Sequence, residues 1–176
     1  RASSESILDQ DLLVLREGGG AEQLIERLVV QVGRLEITAA ELVGRNAASG
    51  LFKTMFLAFK EDGARDWNTN LTISVNHSGK QDKLQFHHIF PTAYMKKQAK
   101  LMDLPSTDDI ANLAFIGGKT NREISDKAPA DYMKKILEGD GKAQLENQAI
   151  PTNPELLKPE SYGEFLTLRE REFVDA

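Results

Sequence analysis

The sequence predicts an α+β fold: a mainly helical domain around one small antiparallel sheet. Apolar residues recur at helical spacing through most of the chain. The period switches to strict alternation only between residues 71 and 88, and a short apolar run follows at 113–116. The length, 176 residues, suits one domain that can bury a core of its own.

The elements follow in order. Ile7, Leu8, Leu12 and Leu15 define a first helix over 5–16, and Gly18-Gly19-Gly20 ends it. No lysine-serine pair follows these glycines, so they read as a linker rather than a phosphate loop. Leu24, Ile25, Leu28, Val29 and Val32 define a second helix over 21–32. Thr38 with Glu41 forms a capping box for a short helix through Val43, before a turn at Gly44-Arg45-Asn46. Ser49 caps a helix with Leu51, Phe52, Met55, Phe56 and Phe59 on one face, a spacing that marks core rather than a stacking platform. Gly63 closes it.

Leu71, Ile73 and Val75 alternate with polar residues, as do Leu84, Phe86 and His88. The expectation is a pair of strands, 71–75 with 84–88, around a turn at Asn76–Gly79 that exposes His77. Pro91 ends the second strand, because proline has no donor for a ladder. Residues 92–102 form a helix carrying Lys96, Lys97 and Lys100. Asp108 and Asp109 cap a short helix, and residues 113–116 return as a strand beside 84–88. A turn at Gly117-Gly118 opens a short helix over 119–124 that presents Asn121. Pro129 suits the first turn of a helix to Leu137, stopped by Gly139-Asp140-Gly141. Residues 142–149 are helical, Pro151, Pro154 and Pro159 mark an irregular stretch, and Ser161 with Glu164 caps a terminal helix to about Val174.

Composition removes several classes of function. There is no cysteine, so disulfide frameworks and thiolate zinc sites are excluded, and a reducing, cytoplasmic setting is expected. No apolar run reaches the roughly 18–20 residues of a membrane span. The chain starts at Arg1 without a signal-peptide pattern and reads as a piece of a longer protein. Its net charge of −5 is unevenly spread. Residues 83–135 hold 9 basic and 6 acidic groups, a balance of +3, whereas 1–82 hold 9 and 12 and 136–176 hold 4 and 9. Local positive charge rewards phosphate contact, although lysines on solvated helix faces would give the same count.

That basic third also holds the paired His87-His88, then Asn112 and Asn121. A lone histidine is usually a satisfied, partly buried side chain. A histidine pair at a strand end, two spaced asparagines and a strand-turn-helix context together point to a metal-assisted site. Neighbours in a regular strand face opposite ways, so both imidazoles can serve one site only if the pleat relaxes before Pro91. Asn112 suits bonding to local backbone. A structural zinc site from His77, His87 and His88 lacks a fourth ligand.

These residues resemble the HNH endonucleases, whose ββα-metal motif carries a first-strand histidine pair, a middle asparagine and a helix histidine or asparagine. The match includes Ile89-Phe90-Pro91 and Asn121-Arg122. The wording around Asn112–Ile116, Asn121–Lys127 and Ala128-Pro129-Ala130-Asp131-Tyr132, with Gly44-Arg45-Asn46, Leu51-Phe52 and Trp67 upstream, resembles the C-terminal nuclease domain of GmrSD-type and SspE-type phage-defence proteins. The resemblance covers residues 36–135. It implies His88 as general base, His87 and Asn121 as metal ligands, and Asn112 as the residue holding the loop that orients the first strand. Lys119, Arg122 and Lys127 would contact DNA phosphates. The asparagine in the third position leaves fewer nitrogen ligands and favours Mg²⁺ or Mn²⁺ over zinc. The chain then divides into a helical lead-in at 1–70, a nuclease core at 71–135 and a C-terminal helical segment at 136–176. The implied activity is nicking of double-stranded phage DNA, alongside an N-terminal ParB-like nucleotide-hydrolysing domain outside this sequence. The alternative is a catalytically silent DNA-binding or interaction domain.

Overall fold

A computed structural model of the chain describes residues 3–33, 36–98 and 104–175. It is mostly helical with one two-stranded antiparallel sheet, an α+β fold. The chain divides into two compact units, Arg1–Ile37 and Thr38–Ala176. No helix among the described residues is long and apolar enough to cross a membrane.

The first unit is a pair of helices, α1 (Ser4–Arg16) and α2 (Ala21–Val32). Ser3 caps α1 by accepting from the Ser6 amide at 3.2 Å. Arg27 of α2 donates to Asp11 and Gln10 of α1, both at 3.0 Å, and ties the pair. Gly18 ends α1 at φ +85°, and a Cβ on Gly19 would stand 2.6 Å from Val14, so the glycine run serves the tight exit of this helix.

The second unit holds the core. It begins with α3 (Ala39–Leu42), capped by the expected Thr38–Glu41 box, and α4 (Gly50–Glu61), capped by Ser49. The apolar face of α4 buries Phe52, Met55 and Phe59. The short α5 (Gly79–Asp82) leads into β1 (Leu84–His88), followed by α6 (Thr92–Gln98). The continuation of α6 to residue 102, with Lys100, lies outside the described residues. A 3-10 turn at Ile110–Asn112 precedes β2 (Leu113–Gly117), and α7 (Gly118–Ile124) starts directly from it. Then come α8 (Pro129–Glu138), with proline in its first turn, α9 (Lys142–Glu146) and α10 (Tyr162–Asp175). Ser161 does not cap α10. It closes a 3-10 turn, Pro159–Ser161, that runs straight into the helix.

The sheet pairs β1 with β2, from Leu84 opposite Gly117 to His88 opposite Leu113. The expected pairing of 71–75 with 84–88 does not form. Residues 71–75 make a single bridge, Arg65 with Thr72, and only Ile73 is buried while Val75 is 70% exposed. Their alternation reflects one anchored side chain rather than a buried face, and β2 offers β1 the fully apolar partner instead.

β2 is buried along its length, yet it has only one strand beside it. Buried backbone groups on its other edge need partners, and three side chains supply them. Arg169 Nη1 donates to the Leu113 carbonyl at 2.8 Å. Gln148 accepts from the Phe115 amide at 2.8 Å and donates to its carbonyl at 2.9 Å. Asp66 Oδ2 accepts from the Gly117 amide at 2.6 Å. Arg169, fully buried in α10, also bonds the Ala111, Gln148 and Ala149 carbonyls, and burial lowers its pKa to about 9.

The segments 1–70 and 136–176 flank the motif in sequence, but residues 38–70 pack with the C-terminal segment: α10 lies against α3, and Phe173 meets Phe59 at 5.5 Å. On α10, Glu170 is 5% exposed, and burial with the neighbouring Asp109 pushes its carboxyl up to about 7. The folded state therefore binds this proton more tightly than an unfolded chain titrating near 4.5, so stability falls as pH rises through that window. Glu170→Gln is expected to raise the melting temperature by a few degrees, about 1 kcal/mol, at about pH 8, and to leave it unchanged at about pH 4. Thermal melts of both proteins at the two pH values check this.

Candidate active site

β1, β2 and α7 bring together residues far apart in sequence. His87 and His88 are the last residues of β1, and the chain after them is fixed by buried bonds. Tyr132 Oη donates to the Ile89 carbonyl at 2.6 Å. Asn112, fully buried, accepts from the Phe90 amide at 2.8 Å and donates to the Phe90 and Thr107 carbonyls at 3.1 and 2.8 Å. Ile89 and Phe90 are fully buried beside it. Asn112 thus clamps the exit of β1, and its side-chain hydrogen bonds among the described residues go to backbone rather than to either imidazole. Asn112→Ala leaves the buried Phe90 amide and carbonyl and the half-buried Thr107 carbonyl short of a partner and is expected to cost about 2–4 kcal/mol, read by denaturant unfolding.

At the other end, Asp66 anchors the start of α7. Besides the Gly117 amide, its carboxylate accepts from the Thr120 hydroxyl at 2.6 Å, the Thr69 hydroxyl at 2.8 Å and the Asn68 and Thr69 amides at 3.0 and 2.7 Å. Burial alone would raise its pKa, but these donors outweigh burial and hold it below the usual carboxylate range. Gly118 is required at the first position of α7, since a Cβ there would stand 2.4 Å from the Lys80 carbonyl.

This framework sets Asn121 Oδ1 2.9 Å from His87 Nδ1. His87 is 3% exposed, with Trp67 and Tyr132 edge-on at 5.6 and 5.8 Å. Burial drives its pKa down to about 4, with the Asn121 bond opposing and His88 adding to the shift. The ring is therefore neutral, the form that can bind a metal. Its Nε2 is buried without a partner.

His88 faces other neighbours. Its Nε2 lies 3.1 Å from Asp108 Oδ1, and both line an open pocket of about 470 Å³ with Asn46, Phe86 and Leu113. Both histidines keep regular pairing, His87 with Ala114 and His88 with Leu113, so the pleat does not relax and the rings face different sides of β1.

The remaining sites are distributed as follows. Lys119 is exposed on α7. The Arg122 guanidinium is occupied by the Lys80 carbonyl at 2.7 Å and Gln81 at 2.9 Å, and Lys127 bonds the Glu123 carbonyl. Asp109 caps the 3-10 turn at Ile110–Asn112, accepting from the Ala111 amide, whereas Asp108 turns to His88. His77 bonds the Thr72 carbonyl at 2.8 Å, away from the other two histidines.

No group of three or more His, Asp or Glu side chains that could hold a metal occurs among the described residues. A two-ligand site is a different matter. Adjacent ligands of an octahedral Mg²⁺ at about 2.0–2.1 Å stand about 3 Å apart, and such ions keep most of their waters. The 2.9 Å between His87 Nδ1 and Asn121 Oδ1 is a hydrogen bond donated by the ring N–H, so these two atoms would hold a cation only with that proton moved to Nε2.

No family model matches the chain, and no solved structure matches it. The chain is 32% identical over 77 residues to an uncharacterized protein, MJ0686, of Methanocaldococcus jannaschii. The match covers 43% of this chain and 13% of that protein's length.

Proposed function

We propose that this chain carries a metal-dependent endonuclease domain of the HNH type, nicking double-stranded DNA in antiphage restriction. The observation that supports it most is the 2.9 Å approach of His87 and Asn121, 34 residues apart, at the junction of β1, β2 and α7. His87 and Asn121 would hold Mg²⁺ or Mn²⁺. A bound cation of this kind polarises the phosphate and stabilises the departing oxygen.

The chain's own residues do the rest. His88, at the end of β1 and one-third exposed, accepts the proton of the attacking water. Tyr132 and Asn112 hold the backbone just after it, at Ile89 and Phe90. Lys119 is exposed on α7, in no ion pair among the described residues, and meets backbone phosphates. Arg122 and Lys127 are engaged locally and contribute less. The ParB-like nucleotide-hydrolysing partner domain belongs to this same reading, and would couple nicking to recognition of the DNA.

One observation favours a second reading, a catalytically silent DNA-binding or interaction domain. His87 and His88 face different sides of a regular strand, and His88–Asp108 is then only a surface pair. Incubating supercoiled plasmid with the chain in Mg²⁺, Mn²⁺ or chelator separates the two. Conversion to open circle in metal alone is expected. DNA binding without conversion in either metal would sink the endonuclease reading.

A further inference from the structure

We propose that Asp108 is the positioning residue of His88: it fixes the imidazole as the tautomer protonated on Nε2 and leaves the lone pair on Nδ1. Its catalytic meaning rests on the endonuclease reading, whereas the tautomer does not. An ionised carboxylate only accepts hydrogen bonds, so the ring nitrogen 3.1 Å from Asp108 Oδ1 carries the proton. The opposite tautomer would set a lone pair against a carboxylate oxygen.

The loop carrying Asp108 is held on both sides. The Ser106 carbonyl accepts from Tyr162 Oη at 2.9 Å, and the Ser106 hydroxyl accepts from the Asp108 amide at 3.2 Å. The Thr107 carbonyl accepts from Asn112 at 2.8 Å, and its hydroxyl lies 3.0 Å from that of Thr92. The Asp109 carboxylate accepts from the Gly44 and Ala111 amides at 2.9 and 2.8 Å. Between these anchors the Asp108 carboxylate turns outward, 74% exposed, to meet His88. An exposed ion pair contributes about 0–1 kcal/mol to folding. The anchoring bonds stabilise the loop itself, and the outward pair with His88 adds little to folding, so what that pair contributes is the orientation of a proton acceptor. Asn112 serves both ends of the device, since it holds the strand exit before α6 and the loop that brings Asp108 to it.

The test reads the tautomer directly. The full chain is labelled with ¹⁵N-histidine, and its three histidines are resolved in a ¹H–¹⁵N correlation spectrum recorded at alkaline pH. His88→Gln assigns the signals. Wild-type His88 is expected to show a protonated, pyrrole-like Nε2 and a pyridine-like Nδ1. Asp108→Ala is expected to move both toward a tautomer mixture, and Asp108→Glu, whose carboxylate can still reach from an exposed loop, to restore them. In nicking assays Asp108→Ala should lower kcat by about 10–100-fold with KM unchanged, with partial recovery in Asp108→Glu. A proton on Nδ1 in the wild type, spectra unchanged by Asp108→Ala, or an unchanged kcat would each overturn the proposal. If the wild-type chain does not nick in any metal, the endonuclease reading fails, and the histidine spectrum still decides the role of Asp108.

Discussion

His88→Ala is expected to lower the rate of plasmid nicking by about 10²–10⁴-fold, the usual contribution of a positioned general base. The fold should survive this substitution. The His88 side chain is one-third exposed, and its hydrogen-bond partner among the described residues, Asp108, is 74% exposed. Losing such a pair costs about 0–1 kcal/mol. Circular dichroism and thermal melts close to wild type, together with lost nicking, would therefore locate the effect in chemistry. His87→Ala is a poorer probe, because His87 is 3% exposed and packs against Trp67 and Tyr132, so lost activity would mix a missing ligand with a cavity. Nicking that survives His88→Ala would remove His88 from the role of base.

Elements governed by local chemistry were legible in the sequence. Caps at Thr38 and Ser49, proline in the first turn of α8 and the apolar face of α4 are set within one or two turns of chain. The paired strands 84–88 and 113–117 were readable because both are short runs bounded by turn signals. The alternation of Leu71, Ile73 and Val75 misled, because period 2 shows a strand only when one face is buried, and here a single side chain is. Within the site, the nearness of His87 and Asn121 was expected from the family resemblance, not from periodicity. The pairing of His88 with Asp108 was not expected, since a loop 20 residues away has no periodicity that aims its side chain. Two of the three side chains along the free edge of β2 were invisible for the same reason. Arg169 lies in a helix of alternating charges and Gln148 near a helix end, where both look like solvated surface. Only Asp66 left a trace: its bonds to the Asn68 and Thr69 amides make a local turn that aspartate favours.

Asp66→Ala is expected to be among the most destabilising single substitutions in the second unit, lowering unfolding free energy by about 3–4 kcal/mol. The carboxylate is 2% exposed and receives five hydrogen bonds, two of them from Gly117 and Thr120 more than 50 residues away. Alanine leaves the buried Thr120 hydroxyl and the outer-edge amide of β2 without this acceptor. The loss should reach the site, because Gly117 and Thr120 bracket the turn that starts α7 and places Asn121 beside His87. Asp66→Asn separates shape from charge: one oxygen can still serve Thr69 and Thr120, but the amide nitrogen then faces the Gly117 N–H, a donor against a donor. The pH dependence has a definite sign. The folded pKa lies below the ordinary aspartate value of 3.8, so the stabilisation is fully present above that value and is lost as pH falls through the lower folded pKa. Denaturant unfolding of wild type and Asp66→Ala should therefore differ most at neutral pH and converge in strong acid. A constant gap down to the lowest accessible pH would mean that packing, and not the charge-assisted bonds, is what Asp66 contributes.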